Sequence, residues 1–402
     1  MLDVKLLRDD PEKVKKALKK RNKNPEQVHD FLMFDKQWRE LVQKLDEARA
    51  KQNKLTKERK IEEAKILKQD IKSWEAHIPE LDKKRTDLLN NFPNIPADDV
   101  PVGKDESQNV VLKEVGAKRQ FDFPIQDYLT IASNGDVVDI DRAAKVTGSR
   151  FGYLKDKAAL LELALINFAF SKLVPKGFTP VFPPVMIKPE AFRGMGRLAG
   201  EQVEERYYLP KDDLYLVGSS EHTLGPMHMD ETLQDKDLPR RYVGFSTCFR
   251  REAGSYGKDT KGILRVHQFD KAEMFSFARP EDSEKEHQFL LSCQEELMND
   301  LGLPYRVMQI CAGDLGWTDA KQYDIETWMP GQNTYRETHS CSNTTDFQAR
   351  GINCKYDKGG FVHMLNATAI SIQRMIIAVI ENYQTKDGDF EIPKVLNRFW
   401  LK

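Results

Sequence analysis

Residues 249–277, FRREAGSYGKDTKGILRVHQFDKAEMFSF, concentrate side chains able to handle a phosphate. Two β-patterned runs flank 253–262, whose three glycines predict a hairpin loop. Side chains two apart share a strand face. Arg250 and Glu252 therefore point the same way, and on the returning strand Arg265, His267, Phe269, Lys271 and Glu273 line one face. A face packed on a core would be apolar at these positions. This one suits an anionic, planar ligand: guanidinium forks for phosphate oxygens, an aromatic ring for a base, carboxylates for an amine. A charged sheet surface facing solvent has the same pattern, and the strand alone leaves both readings open.

The common nucleotide loops are missing. No G-x-x-x-x-G-K-[ST] occurs: Gly257-Lys258-Asp259 has the wrong third residue, and the glycines of 194–200 miss the dinucleotide spacing by one. Five cysteines without a C-x-x-C pair argue against a disulfide framework and against a closed zinc site, so no zinc is expected. The chain's 402 residues predict two or three domains, and 40% hydrophobic with 9% aromatic residues excludes a mostly disordered chain. The start, MLDVKLLRDDPEK, lacks the apolar core of a signal peptide, and the apolar run 375–380 is too short to span a membrane. A cytoplasmic protein with no membrane partner is the expectation.

The elements that must position these groups divide near residue 100. Residues 1–100 carry 24 basic against 20 acidic side chains, a net of +4, while the remainder has 38 against 43. Two stripes at three–four spacing mark coiled-coil seams: Phe31, Phe34, Trp38, Leu41, Leu45, Ala48, and Leu67, Ile71, Trp74, Ile78, Leu81, with Leu88 and Phe92 after a lapse at Arg85. An antiparallel helical hairpin or one long helix in a dimer fits; the lapse between the stripes favours the hairpin. Pro79 predicts a kink in the second helix. The tip, 49–68, has eight basic residues against three acidic, including Arg49, Lys51, Lys54 and Lys57. Such a surface is either a solvated helical face or a phosphate-contacting one. Prolines in 92–96 mark a linker. Beyond residue 120, helices are predicted over 160–173, 284–300 and 369–383, and strands over 178–186, 241–252 and 263–277. That predicts an α+β fold: an antiparallel sheet with flanking helices, 101–402, following the helical arm, 1–100.

Residues 249–277 resemble motif 2 of the class II aminoacyl-tRNA synthetases, most closely in the seryl-tRNA synthetase family. The opening MLDVKLLRDDPEKVKKALKKR is similar to that family's first helix, and the basic hairpin to its tRNA-binding arm. RAAKVTGSRFGYL (142–154) resembles the entry to its catalytic domain, GFTPVFPPVM (177–186) its dimer-forming motif 1, residues 303–351 its serine-site region, and FVHMLNATAISIQRMIIAVIENYQ its motif 3. The resemblance covers essentially the whole chain.

What it implies is specific. The activity would be formation of seryl-adenylate from L-serine and ATP with Mg²⁺, then transfer to tRNA(Ser), and to tRNA(Sec) where present, by a homodimer. Arg250, Arg265, Glu337 and Arg374 would be catalytic. ATP would meet Arg250, Arg251, Glu252, Arg265, Val266, Phe269, Arg374 and the run Glu337, Thr338, His339, Ser340, with Glu337 and Ser340 also on Mg²⁺. Serine would meet Ser219, Ser220, Glu221, Arg250, Glu273, Asn366 and Thr368, and the tRNA Arg49, Lys51, Lys54 and Lys57. The chain departs from the family pattern at Ser219-Ser220-Glu221-His222, where T-A-E-V is usual, and at His339, Ala367 and Ala369. Its arm is also shorter than usual. Two rival readings are a relative that passes its amino acid to a carrier protein and an inactive RNA-binding paralogue.

Overall fold

The computed structural model of the chain describes residues 1–253 and 261–401. They fall into two compact units, Met1–Ile95 and Pro96–Lys402. The tip of the loop predicted over 253–262 lies outside the described residues.

The first unit is helical: α1 (Val4–Asp9), α2 (Pro11–Lys20), α3 (Gln27–Lys57) and α4 (Ile61–Asn90). Asp3 and Asp10 cap the first two helices by accepting the N–H groups of Lys5 and Lys13, and Pro11 takes a first-turn position whose N–H would go unused. α3 and α4 form the antiparallel hairpin. Leu45, Ala48 and Ile71 are buried between them against Leu67, Trp74 and Ile78. The turn at 58–60 needs no glycine because Arg59 itself takes the left-handed conformation, φ 60°. α4 continues through Pro79 without a break in the helix.

The lapse at Arg85 has a cause that the stripe does not reveal. Asp35, fully buried on α3, accepts from Arg8 (2.8 and 2.7 Å), Arg39 (3.0 Å) and Arg85 (2.8 Å). The Arg85 guanidinium also lies 4.6 Å from the Trp38 ring centroid. An ion cluster thus occupies one layer of an otherwise apolar seam and ties α1, α3 and α4 together.

The second unit is built on an eight-stranded sheet. The elements that build the sheet and its flanking layers are, in chain order, β1 (Val110–Val115), α5 (Tyr128–Asn134), α6 (Asp156–Leu173), β2 (Phe178–Val181), α7 (Glu221–Leu224), β3 (Arg240–Phe249), β4 (Gln268–Ala278), α8 (Ser283–Leu301), β5 (Tyr305–Gln309), β6 (Lys321–Met329), β7 (Thr334–Asn343), β8 (His363–Ser371) and α9 (Ile372–Asn382), with shorter helices and two- and three-stranded ribbons between them. The strand order is β1-β5-β6-β7-β8-β4-β3-β2, antiparallel throughout except for the parallel pair β3–β2. One sheet face carries Ala272, Met274, Cys341, Ala367 and Ala369 into a core with Leu161, Leu165 and Phe168 of α6, Leu290 and Leu297 of α8, and Met375 and Ile376 of α9. α6 with its following turn, Asp156–Lys176, is long and apolar enough to cross a membrane by length and composition; here it is the helix that covers this core. All five cysteines are free and buried.

Four predicted elements are corrected. The strand expected over 241–252 ends at Phe249, so Arg250 and Glu252 do not share a strand face, and Glu252 takes a left-handed conformation, φ 51°. The strand expected over 178–186 ends at Val181, and Met186–Ile187 pairs in a separate ribbon, because Pro183 and Pro184 between them cannot donate to a ladder. The strand expected over 263–277 begins at Gln268. Upstream of it, the Ile263 N–H goes to the Tyr128 hydroxyl and the His267 N–H to the Arg150 carbonyl. The helix expected over 369–383 begins at Ile372, because Ile370 and Ser371 are paired with Ala272 and Lys271 in the sheet.

The Asp35 cluster makes the first unit acid-sensitive. Burial alone would raise its pKa, but the three guanidinia win and hold it at about 2. A depressed folded-state pKa stabilises above the unfolded value and is lost as pH falls through the folded one. The cluster's contribution is therefore complete above about pH 4 and disappears towards pH 2, worth about 2 kcal/mol. Asp35→Asn should lower the unfolding midpoint of this unit at neutral pH. The difference from the unaltered chain should close between pH 4 and 2; denaturant melts across that range check both.

Candidate active site

On the sheet face opposite the main core, two adjoining hollows share Arg250, Glu252, Arg265, Lys271, Glu337, Ser340 and Arg374. The smaller, about 100 Å³, adds Ile263, Leu264, Val266, Phe269, Thr338, Thr368, Ser371 and Gln373. The larger, about 540 Å³, adds among others Arg197, Gln202, Arg206, Ser219, Glu221, Trp317, Asp319, Ser342 and Asn366. Pattern alone left the charged strand face open to a solvent-facing reading. The structure settles this for its central residues: Lys271 is 7% exposed and Glu273 fully buried.

Two bulges decide which side chains reach the cleft. Between β6 and β7, Ile325 pairs with His339 and Glu326 with Glu337, leaving Thr338 unmatched. The alternation slips by one there. Glu337, Ser340 and Ser342 consequently line the cleft. His339 is turned inside the sheet, bonded to the Thr338 hydroxyl (2.8 Å) and the Ala369 carbonyl (3.2 Å). Between β4 and β8, Ala272 pairs with Ile370 and Glu273 with Thr368, leaving Ala369 unmatched. Asn366, Thr368 and Ser371 line the hollows, while the methyls of Ala367 and Ala369 lie in the core.

The cations are oriented by neutral groups as much as by carboxylates. Arg250 donates from Nε to the Gly218 carbonyl (3.2 Å), with its guanidinium 5.1 Å from the Phe269 ring centroid. Arg374 donates to the Glu337 carbonyl oxygen (2.9 Å) and lies 3.2 Å from its carboxylate. Arg374, Arg250 and Arg265 hold the half-exposed Glu337 carboxyl below its usual range. Arg265 faces Glu252 at 3.6 Å. Lys271 pairs with Glu273 at 2.7 Å, and burial pushes the Glu273 carboxyl up despite that lysine.

Of the residues expected at the site, Arg250, Glu252, Arg265, Val266, Phe269, Glu337, Thr338, Ser340, Arg374, Ser219, Glu221, Asn366 and Thr368 are brought together. Arg251, Ser220, Glu273 and His339 do not line the hollows. The backbone N–H of Arg251 bonds Glu205 and its guanidinium lies over Tyr207; the Ser220 hydroxyl donates to the Gly244 carbonyl; Glu273 sits behind Lys271. Sequence reasoning missed Arg197, Arg206 and Asp319. Arg197 lay in the glycine segment 194–200, set aside because its spacing fits no dinucleotide loop. Here it forms an ion pair with Glu221. His222 also gains an explanation. Its Nδ1 accepts the Gly218 N–H (3.1 Å), and burial beside Arg206, Arg197 and Arg250 keeps the imidazole neutral.

An antiparallel sheet backed by helices, with arginines and an aromatic ring converging on one cleft, is the architecture of the class II aminoacyl-tRNA synthetases. The class II core domain profile (G, H, P, S and T) matches residues 202–383, and the seryl-tRNA synthetase N-terminal domain profile matches residues 1–96. The serine–tRNA ligase of Thermobifida fusca is 43% identical over 413 residues, covering 99% of this chain and 97% of that protein. The Thermotoga neapolitana serine–tRNA ligase is 44% identical, covering 98% of each. The crystal structure of the Pyrococcus horikoshii seryl-tRNA synthetase complexed with ATP superposes with a TM-score of 0.93 at 40% identity, covering 99% of this chain and 98% of that one. The chain belongs to the seryl-tRNA synthetase family.

One contact outside the cleft sets the position of its wall. The buried Tyr128 hydroxyl on α5 accepts the Ile263 N–H at 2.9 Å, and Gly262 approaches it so closely that a Cβ there would lie 1.7 Å from the oxygen. The segment carrying Arg265 and Val266 is anchored through this bond. Tyr128→Phe should speed amide hydrogen exchange at Ile263 about five- to tenfold, the scale of one buried hydrogen bond, with the strand amides of β4 unchanged. Mass-spectrometric or NMR exchange on the whole chain reads this directly.

Proposed function

We propose that this protein is a serine–tRNA ligase. It activates L-serine with ATP to seryl-adenylate and transfers the seryl group to the 3′ end of tRNA(Ser), or of tRNA(Sec) where that tRNA is present. The observation that carries the reading is the convergence of Arg250, Arg265 and Arg374 with Phe269 on a cleft continuous with Ser219, Glu221 and Asn366. The first group suits a nucleoside triphosphate and the second a small polar amino acid.

The chemistry asks little proton transfer of the protein. The serine carboxylate is ionised at neutral pH and attacks the α-phosphorus in line, with pyrophosphate leaving, so no general base is required. Arg250 and Arg374 align and neutralise the phosphoryl oxygens, while Arg265 and Phe269 hold the nucleotide. Glu337 and Ser340 offer the hard oxygen donors that Mg²⁺ prefers, on the cleft wall where phosphate oxygens would complete its shell. Bound there, Mg²⁺ supplies further charge neutralisation. In the second step a terminal ribose hydroxyl of the tRNA attacks the adenylate carbonyl and AMP leaves. Serine is told from alanine by its hydroxyl: Thr368 on the cleft wall offers a polar partner that alanine would leave unpaired, whereas Glu273, expected beside it, is engaged by Lys271 behind that wall.

Residues 1–100 are assigned to tRNA binding and 101–402 to catalysis. On α3, Lys51, Lys54 and Lys57 are exposed at intervals of three, suited to phosphates; Arg49 is held by Glu75 at 2.7 Å. A homodimer formed through α6 and β2 accounts for the exposed Leu163, Val174 and Phe182 on that side. A cytoplasmic location accords with the Naegleria fowleri relative, a cytoplasmic serine–tRNA ligase of 32% identity.

The unaltered chain should catalyse serine-dependent ATP–pyrophosphate exchange and charge tRNA. Replacing Arg250 or Arg374 by alanine should lower kcat/KM about 10²- to 10³-fold. Absence of exchange with serine would refute the function, and exchange with alanine or glycine without tRNA charging would transfer it to the carrier-protein reading. For the arm, Lys51, Lys54 and Lys57 changed together to Gln should reduce the salt slope of tRNA binding by about 2–3. An unchanged slope would remove those residues from the interface.

A further inference from the structure

We propose that Arg206 binds the carboxylate of the amino-acid substrate, acting beside Arg250 as a second cation of the cleft. The inference rests on the function proposed above and extends it to a residue that no motif of the chain singles out.

Among the described residues Arg206 forms no ion pair, although it lines the larger hollow. Its Nε is buried without a hydrogen-bond partner, and so is Oε1 of Gln202, which lines the same hollow. Arg197, by contrast, is paired with Glu221. The charges that act on Arg206 are mainly repulsive. Burial lowers its pKa most, Arg250 and Arg197 lower it further, and Glu221 and Glu205 only partly offset them, leaving it at about 9. A guanidinium brought so far below its usual range still carries its charge at neutral pH and gains by receiving an anion.

Its position is fixed before any ligand arrives. The guanidinium lies 5.4 Å from the Phe192 ring centroid. It also lies against Gly218, where a Cβ would come within 2.7 Å of Nη1. Gly218 is the residue whose carbonyl accepts from Arg250 and whose N–H donates to His222. One backbone unit therefore sets both cations. Arg206 lines the hollow of Ser219, Glu221 and Asn366 and not that of Phe269 and Val266, which favours a carboxylate over a nucleotide phosphate. An amino acid presents a carboxylate and an ammonium together, and Glu221 and Asp319 in the same hollow answer the second. With one carboxylate oxygen on Arg206, the other is left to face the α-phosphorus.

The test is ATP–pyrophosphate exchange with Arg206→Met, Arg206→Gln and Arg206→Lys, together with competition by serinol, which keeps the ammonium and hydroxyl of serine and has a hydroxymethyl group in place of the carboxylate. Met and Gln should raise the KM for serine about 10- to 100-fold, the scale of one charge-assisted hydrogen bond. The KM for ATP and the inhibition constant of serinol should stay within about threefold, and Lys should recover most of the loss. An unchanged serine KM would overturn the proposal. So would serinol weakened as much as serine, the mark of a structural defect, or an ATP KM rising in parallel, the mark of a phosphate contact. If the unaltered chain shows no serine-dependent exchange, the functional reading itself fails, a result distinct from an unaltered serine KM in the variants.

Discussion

The second unit is organised around one constraint: guanidinium charge must be kept available on a partly buried sheet face. A buried cation without a counterion is costly, and a buried cation fully matched by a carboxylate has little left for a ligand. The cleft lies between these limits. Arg250 is steered by a backbone carbonyl and an aromatic ring, His222 remains neutral beside it, and Glu221 is engaged by Arg197. Carbonyls, hydroxyls and rings can orient a guanidinium without cancelling its charge. Much of the local architecture, from Gly218 to the bulge at Thr338, follows from supplying such groups at the right positions.

The helical unit treats buried charge in the opposite way. Asp35 is matched by three arginines drawn from two helices of its own hairpin and from α1. That arrangement leaves nothing for a ligand and serves position instead: an ion cluster in an apolar seam penalises any shift in register, because each slip would strand a buried charge. The same chemical groups thus act as a lock in one unit and as an open receptor in the other. In the lock three guanidinia converge on one fully buried carboxylate; in the cleft Arg250 and Arg206 are held by a carbonyl and by aromatic rings, which leave their charge uncancelled.

Much of the fold was legible in the order of residues. The paired helical stripes and the antiparallel sheet follow from local periodicity, and the convergence of Arg250, Arg265, Glu337 and Arg374 is what the resemblance of short motifs to the synthetase family implies; both are properties of short stretches of chain. What was misjudged shares a cause. His339 was expected at the cleft because it stands in the run 337–340 that resembles the family's ATP segment, and the bulge beside it turns its side chain into the sheet without any mark in the sequence. Residues 263–267 were expected in the strand, but the N–H groups at its two ends, Ile263 and His267, are taken by Tyr128 and Arg150, more than a hundred residues earlier. Residues 369–371 are apolar enough for either element, and pairing with β4 decided for the sheet.

Arg206, Arg197 and Asp319 make the same point. Each is unremarkable among its sequence neighbours, and each acquires meaning only from the charges that the fold sets around it. By itself the sequence determined the family, the elements and the kind of chemistry, because helix and strand periodicity and the spacing of a motif act over a few residues. Only the tertiary structure decided which side of the sheet a side chain faces, which cleft arginine has no ion pair among the described residues and which helix seam is locked by charge. Those are long-range outcomes, since burial and Coulomb interactions depend on distance in space and not on separation along the chain.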